Sequence, residues 1–217
     1  MKLLLLGATG RTGRWVLEKA LEKGYEVRCL ARNVHRISPR DRLTVIEGDP
    51  SQATDLQKAF EGCQYVISVL NISRQSDFPW APLRTPEDYL SRVMNTLLPI
   101  AKAHSIQRVV VCSAWGVGET GEDIPWWFKW TIDHSNIGVA YKDHALQEEV
   151  LTLSDIPWTI VRPPGLTNFK KKEQIKVCEA KGEKPQLLIS RQSVAAFMVE
   201  SLQREDLVGK KVVISKV

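Results

Sequence analysis

The segment GATGRTG at residues 7–13 places three glycines at the spacing of a phosphate-binding turn. An apolar run at residues 3–6 precedes it and is typical of a buried strand, and a helical pattern at residues 14–21 follows. Because glycine has no Cβ, the backbone N–H groups of such a turn can approach a pyrophosphate, whose charge the positive end of the helix favours. The order of strand, glycines and helix therefore predicts a dinucleotide site rather than an ordinary glycine-rich connection.

A basic stretch follows the second predicted strand, residues 25–31. An acid at this strand end accepts a hydrogen bond from the ribose of NAD, whereas arginine accommodates the 2′-phosphate of NADP. Here the strand ends in Arg32, and Arg36 lies four residues further on. The alternative is a solvated basic loop, but its place at the strand end favours NADP(H) as the cofactor.

The composition excludes several classes of protein. The chain has 217 residues, 43% of them hydrophobic, and a formal net charge of +5, which fit one α/β domain over residues 1–217. Its basic residues cluster at 32–42 and 170–184 without interleaved aromatics, so we expect no nucleic-acid partner. No apolar stretch is long enough for a membrane span. Four scattered cysteines indicate reduced thiols in a cytoplasmic protein, and no metal site is predicted.

Predicted strands and helices alternate along the chain, which is typical of a doubly wound parallel sheet with helices on both faces. We predict strands at residues 3–6, 25–31, 43–47, 65–70, 108–113, 158–162 and 211–215, and helices at 14–21, 55–60, 87–104 and 193–203. The class is α/β of the Rossmann type, with small C-terminal elements on the substrate side. An irregular loop at residues 71–86 follows the fourth strand, at the edge where such folds bind ligands.

The pattern resembles the atypical short-chain dehydrogenase/reductases, in particular their NmrA-like and flavin reductase or biliverdin-IXβ reductase branch. The resemblance lies in GATGRTG, Gly48-Asp49-Pro50, RVVVCSA at 108–114, WTIVRPP at 158–164 and LLISRQSVAAFMVESL at 187–202. It implies the same Rossmann fold, with Asp49 near the adenine, although a turn role before Pro50 is an equal alternative for that residue. With the glycine fingerprint, the implied cofactor contacts are Gly7, Thr9, Gly10, Arg11, Thr12, Gly13, Arg32, Arg36, Asp49, Leu70 and Ser113.

The acid–base pair of classical short-chain dehydrogenases, Tyr-x-x-x-Lys, is missing. Tyr141 is followed four residues later by Ala145. The remaining candidates for catalysis are Ser113 at the end of the fifth strand, and Lys142 and His144, which we expect at the start of the next helix. The flavin reductase branch carries Ser and His at the positions matched to Ser113 and His144. A surface position is the alternative for His144, and Lys142 is the weaker candidate of the three.

Four large aromatic residues lie within residues 126–130, just before this helix. They cannot all face one core stripe, so some of them should line a pocket, a lid or a subunit contact. An aromatic wall suits a planar substrate, while core or lid packing is the alternative.

Three functions remain open from the sequence. The first is an NADP(H)-dependent reductase of a small planar acceptor such as a flavin, a quinone or a tetrapyrrole, because the cofactor supplies the hard chemistry of such a reaction. The second is an NmrA-like redox sensor that binds NADP(H) and a protein without turnover. The third, an epimerase or dehydratase, is disfavoured by the missing tyrosine–lysine pair. Both a monomer and a homodimer are compatible with the sequence.

Overall fold

The computed structural model describes residues 1–169, 173–178 and 183–217. Its main feature is an eight-stranded sheet in the order β3-β2-β1-β4-β5-β6-β10-β8. Every neighbouring pair is parallel except β10 and the edge strand β8, and β7 and β9 form a separate parallel pair. The strands are β1 (Lys2–Leu6), β2 (Glu26–Ala31), β3 (Leu43–Glu47), β4 (Tyr65–Ser68), β5 (Arg108–Cys112), β6 (Trp158–Arg162), β7 (Gly165–Thr167), β8 (Ile175–Cys178), β9 (Leu188–Ser190) and β10 (Lys210–Lys216).

Helices cover both faces of the sheet, so the predicted doubly wound α/β class is confirmed. They are α1 (Arg11–Glu22), α2 (Ala53–Phe60), α3 (Tyr89–Ala103), α4 (Trp126–Asp133), α5 (Ile137–Thr152) and α6 (Arg191–Ser201). Helices α1 and α6 pack together over one core, which includes the fully buried Val16 and Met198. Helices α2, α3 and α5 cover the other core, which includes Leu56, Met94 and Leu151.

The strand order creates the crevice in which this fold class binds ligands. From β1 the chain moves to β2 and β3 on one side, and then crosses to β4 on the other. Loops that leave β1 and β4 therefore diverge, and a ligand site forms between them at the carboxyl ends of the strands. The glycine turn follows β1, and Val69 with Leu70 follows β4.

Some predicted boundaries differ from those in the structure. Helix α1 begins at Arg11 because the glycine turn runs directly into it. Helix α5 begins at Ile137, so Lys142 and His144 lie in its second and third turns rather than at its start. Residues 71–86 are more ordered than the predicted irregular loop, because Arg74 and Leu83 form an antiparallel bridge.

All four cysteines are free thiols, three of them buried and Cys178 partly so. Burial raises the pKa of the Cys29 thiol to about 12. Lys170, Lys171 and Lys172 of the second basic stretch lie outside the described residues. Among the residues that the structure does describe, no helix combines the length and apolarity needed to cross a bilayer.

Candidate functional site

The glycine turn depends on glycine at two of its three positions. Gly7 has a φ of +90°, and a Cβ there would lie 3.0 Å from the backbone of Val69. A Cβ on Gly13 would lie only 2.0 Å from the carbonyl oxygen of Gly7. Gly10, by contrast, has an ordinary extended backbone with a φ of −76°, and its N–H donates to the Gly7 carbonyl at 2.9 Å. Gly7 and Gly13 thus set the close helix–strand packing, while Gly10 leaves space above the turn.

The N-terminus of α1 is open to an anion. Its N-cap residue is Gly10, no side chain caps the helix, and its first turn contains no acid. The first N–H groups of a helix have no partners within it, and the helix dipole places positive charge there. The space above Gly10 and these N–H groups fit the pyrophosphate of a dinucleotide.

A single cavity of about 1170 Å³ extends from this turn across the crevice. It is larger than the roughly 300–1,000 Å³ of a typical small-molecule pocket, so it has room for a dinucleotide and a second compound. Among the predicted site residues, those that line it are Gly7, Thr9, Gly10, Arg11, Thr12, Arg32, Arg36, Leu70, Ser113 and His144.

Three predicted site residues do not line the cavity. Gly13 is buried between α1 and β1, where it serves packing. Asp49 accepts a hydrogen bond from the Ser51 N–H at 2.8 Å and one from the Tyr89 hydroxyl at 3.3 Å, which matches the turn role considered for it. Lys142 is exposed on α5. The i, i+4 spacing directs Ala140 and His144 to the cavity, and Lys142 lies between them on another face.

Ser113 is held by a buried charge network. Its hydroxyl donates to the carboxylate of Glu148 at 2.6 Å, and the same carboxylate accepts from Arg162 Nε at 2.9 Å. Arg162 also donates to Glu119, which lowers the pKa of the Glu119 carboxyl to about 2. Lys211 approaches the other oxygen of Glu148 at 3.4 Å. Since the proton of Ser113 is directed to Glu148, its oxygen faces a ligand as an acceptor.

His144 is buried rather than on the surface, the alternative that the sequence left open. Burial lowers the pKa of its imidazole, and the contact of Nδ1 with Gln147 Oε1 at 3.3 Å and the charges of Glu148 and Asp143 only partly oppose this. The side chain is therefore neutral at pH 7, with one N–H donor and one acceptor nitrogen.

Tyr141 does not replace the missing acid. Its hydroxyl donates to the backbone carbonyl of Trp115 at 3.2 Å, and burial raises its pKa. The phenol stays protonated, and its hydrogen bond serves the loop after β5. It contributes a ring edge to the cavity wall, with its centroid 6.2 Å from that of Phe128 in a T-shaped pair.

Only one aromatic residue of the 126–130 group reaches the cavity. Phe128 lines it together with Trp115 and Tyr141. Trp126 is 81% exposed, and Trp127 and Trp130 are about half exposed. The aromatic wall that the sequence predicted is therefore built around Phe128, because α4 has only one buried face and the three tryptophans lie off it.

Several residues at the site were not found from the sequence. Glu148 and Arg162 come from α5 and the end of β6, and the signal that could have found Glu148 is its i, i+4 spacing from His144. Arg74, Arg191 and Asp77 also line the cavity, although no local motif marks them. In the part of the chain that the structure covers, no group of His, Cys, Asp and Glu is arranged to hold a metal ion.

Known proteins are similar to this chain in sequence. The sequence profile of the family described as NAD(P)H-binding matches residues 7–205. Photosystem II assembly factor Ycf39 of Trieres chinensis is 31% identical over 171 residues, which are 76% of this chain and 46% of that protein. Oxidoreductase GME11367 of Pestalotiopsis microspora is 23% identical over 95% of this chain and 80% of its own length. The chain thus spans less than half the length of its Ycf39 relative.

Solved structures show the same fold at low identity. ChuY, an anaerobillin reductase from Escherichia coli, has a TM-score of 0.81 at 20% identity, covering 100% of this chain and 97% of its own. A short-chain dehydrogenase/reductase from Veillonella parvula in complex with NADP has a TM-score of 0.80 at 19% identity, covering 99% and 94%. The glycine turn, the open helix end and the profile match over residues 7–205 lead to one conclusion: this chain belongs to the NAD(P)H-binding family, as its resemblance to NAD(P)-binding reductases implied.

Proposed function

We propose that the protein is an NADP(H)-dependent reductase of a small planar acceptor such as a flavin, a quinone or a tetrapyrrole. The observation that carries the proposal is the continuity of the cavity. One end has the glycine turn with Arg32 and Arg36, and the other has Ser113, His144 and the aromatic wall around Phe128. The cavity, at about 1170 Å³, has room for a second compound beside a bound dinucleotide.

The phosphate end supports NADP(H) over NAD(H). Arg32 and Arg36 both line the cavity at the end of β2, and both are exposed. The Arg32 guanidinium lies 5.9 Å from the centre of the Tyr89 ring, which orients it beside the adenosine end of the crevice. No carboxylate lines the cavity here to accept from a ribose hydroxyl.

The acceptor end supports reduction rather than epimerisation or dehydration. When bound, the dihydronicotinamide ring supplies the hydride, so the protein mainly orients the acceptor. Ser113 presents a fixed acceptor oxygen, because its proton is directed to Glu148. His144 is neutral and retains an N–H donor that can hold or deliver a proton near the cavity. Tyr141, the residue an epimerase would need, is partly buried, and its hydroxyl donates a hydrogen bond to the backbone carbonyl of Trp115.

An NADPH-oxidation assay over a panel of flavins, quinones and biliverdins tests the proposal directly. We expect turnover with at least one planar acceptor, and a His144→Ala variant should reduce it without loss of NADPH affinity. Tight NADPH binding with no turnover across the whole panel would contradict the proposal.

A second candidate is a non-catalytic NADP(H)-binding sensor that contacts a protein. The observation that favours it is the exposed aromatic surface formed by Phe78, Trp80, Trp126, Trp127 and Trp130. The similarity to Ycf39, a photosystem II assembly factor by name, points the same way. The acceptor panel separates the two candidates, since a sensor binds the cofactor and does not consume it.

The proposal also includes the remaining expectations about the whole chain. We place residues 1–217 in one domain and the protein in the cytoplasm, as a monomer or a homodimer. Cys29, Cys63 and Cys112 are buried free thiols, and none of them forms a disulfide. Unpaired cysteines support a reducing compartment.

A further inference from the structure

Arginines are concentrated on one wall of the cavity. Arg11, Arg74, Arg84 and Arg191 line it, and of the described residues in its lining only Asp77 is an acid. They come from three separate parts of the chain: the start of α1, the 71–86 loop and the first residue of α6. Four cations against one anion leave a net positive wall.

Asp77 is already paired with an arginine. Arg11 donates to both carboxylate oxygens of Asp77, from Nη1 at 2.8 Å and from Nη2 at 2.7 Å. This hydrogen bonding lowers the pKa of Asp77, and the charges of Arg191 and Arg74 lower it further. Asp77 therefore lies within the field of three guanidinium groups and neutralises one of them.

Because Asp77 pairs with Arg11, the positive charges of Arg74 and Arg191 exceed the negative charge on this wall. The Nε atom of Arg74 is buried and has no hydrogen-bond partner among the residues that the structure describes. Arg191 donates from Nη1 to the Leu166 carbonyl at 3.1 Å and to Asn168 Oδ1 at 2.8 Å, both uncharged. Burial lowers the pKa of each guanidinium, the charge of Arg11 lowers both further, and the charge of Asp77 only partly opposes this.

The arginine wall lies beside the acceptor end. Arg191 donates to Leu166 and Asn168, which come after β6. Both residues line the cavity together with Ser113, which follows the adjacent strand β5. The cofactor's own phosphates already have partners in the glycine turn, the open end of α1, and Arg32 with Arg36. An additional anion is therefore the ligand that this wall lacks.

We propose that Arg74 and Arg191 form a subsite for an anionic group of the acceptor, a carboxylate or a phosphate, held next to Asp77 and Arg11. The inference rests on the proposed reductase function and narrows its substrates to planar acceptors that carry such a group. Arginine suits this role because its planar fork binds both oxygens of a carboxylate or phosphate.

The test compares acceptors that differ only in the anionic group. Riboflavin and its phosphate FMN form one pair, and biliverdin and its dimethyl ester form the other. Equilibrium dialysis with NADP⁺-saturated protein keeps FMN out of the cofactor phosphate sites and measures affinity without turnover. We expect the charged member of at least one pair to bind about tenfold to a hundredfold more tightly.

Variants then locate the effect. Arg74→Gln and Arg191→Gln should each reduce this preference to about threefold or less while affinity for the uncharged member stays the same. Arg191→Lys, which keeps the charge, should restore part of it. Arg40→Gln is the matched control, because Arg40 pairs with Glu18 at 2.6 Å and does not line the cavity.

Equal affinity within both pairs would overturn the subsite. So would variants that weaken NADP⁺ binding but leave the preference for the charged member intact, since the arginines would then hold the cofactor. Charge-selective binding without NADPH oxidation would contradict the reductase and leave the subsite standing. Turnover of charged and uncharged members with the same KM would contradict the subsite and leave the reductase standing.

Discussion

The hydroxyl of Ser113 donates a hydrogen bond of 2.6 Å to the carboxylate of Glu148, and both side chains are buried, with at most 5% of either residue exposed. Ser113 directly follows β5 and Glu148 lies in the C-terminal half of α5, so this bond links the helix that carries His144 to the strand end that carries Ser113. One acid thus helps to set the relative position of the two proposed acceptor-side groups.

Removal of Glu148 should destabilise the fold. In a Glu148→Ala variant Arg162 loses one of its two carboxylate partners while it stays buried, and breaking a buried ion pair typically costs about 3–5 kcal/mol. Urea denaturation measures the loss. The control is Glu149→Ala, one residue further on the exposed side of α5, which should change stability by no more than about 0.5 kcal/mol. Equal effects of the two variants would show that the network does not stabilise the fold.

Two glycine substitutions should separate folding from cofactor binding. Gly10→Val keeps an allowed backbone but fills the space above the turn, so the far-ultraviolet circular dichroism should stay normal while NADPH affinity falls by at least about a hundredfold. Gly13→Ala forces a Cβ against the Gly7 carbonyl and should destabilise the fold by about 1–3 kcal/mol or more. Normal NADPH binding by Gly10→Val would place the phosphates elsewhere.

Cofactor choice should depend on the arginines after β2. Arg36→Ala removes a charge-assisted contact of about 1.5–3 kcal/mol, so NADPH affinity should fall about tenfold to a hundredfold while NADH affinity is unchanged. Arg32→Asp should bring the two affinities together. Titration of both cofactors measures this, with Arg40→Ala as the control outside the cavity. The arginine assignment fails if the protein, before any substitution, binds NADH as tightly as NADPH.

His144 should affect turnover more than binding. With a flavin acceptor, loss of an orienting hydrogen bond in His144→Ala should lower turnover about tenfold, with NADPH affinity intact. An acceptor that gains a proton in the same step, such as a tetrapyrrole, should lose more, within the roughly 10²–10⁴-fold range of a positioned acid. Lys142→Ala, on the exposed face of the same helix, is the control and should leave turnover as it is. No effect of His144→Ala with any active acceptor would exclude a catalytic role.

The same histidine should make stability depend on pH. Because burial lowers the pKa of His144 in the folded protein, the unfolded chain binds more protons as the pH falls below the unperturbed value of about 6.5. The contribution of His144 is therefore fully present above that pH and is lost as the pH falls toward the folded pKa. In denaturation at about pH 7.5 and 5.5, His144→Gln should lose less stability on acidification than the wild type or the His35→Gln control. An identical loss in all three would assign the pH dependence to other groups.

The sequence predicted the parts of the site that are built from residues adjacent in the chain. The glycine turn, its strand and its helix form one continuous segment, so local pattern was enough to place Gly7 and Gly10. Lys142 and His144 were expected at the start of a helix, but α5 begins at Ile137, and their spacing of two residues places them on different faces of it. Helix ends are weakly encoded here, since Asn136 gives α5 no side-chain cap.

Local sequence patterns could not predict the buried charge network around Ser113 or the arginine wall. Glu148, Arg162 and Glu119 meet only because β5, β6 and α5 are adjacent in the fold. Arg74 and Arg191 lie far apart in sequence and share no motif. Both lie near Asp77, because α6 packs beside α1 and Arg11 of α1 binds Asp77 of the 71–86 loop; no local spacing records these long-range contacts.

The acceptor side of the cavity is built from the 71–86 loop, α4 and residues 163–169, and none of them adds a strand to the eight-stranded sheet. Substitutions in these segments alter which compound fits beside Ser113 and leave the backbone hydrogen bonds of the eight-stranded sheet unchanged. Selection for folding and selection for a new compound then act on different stretches of the chain. Such a scaffold allows the site to change while the fold persists, and the fold is indeed shared with solved structures at about one-fifth identity.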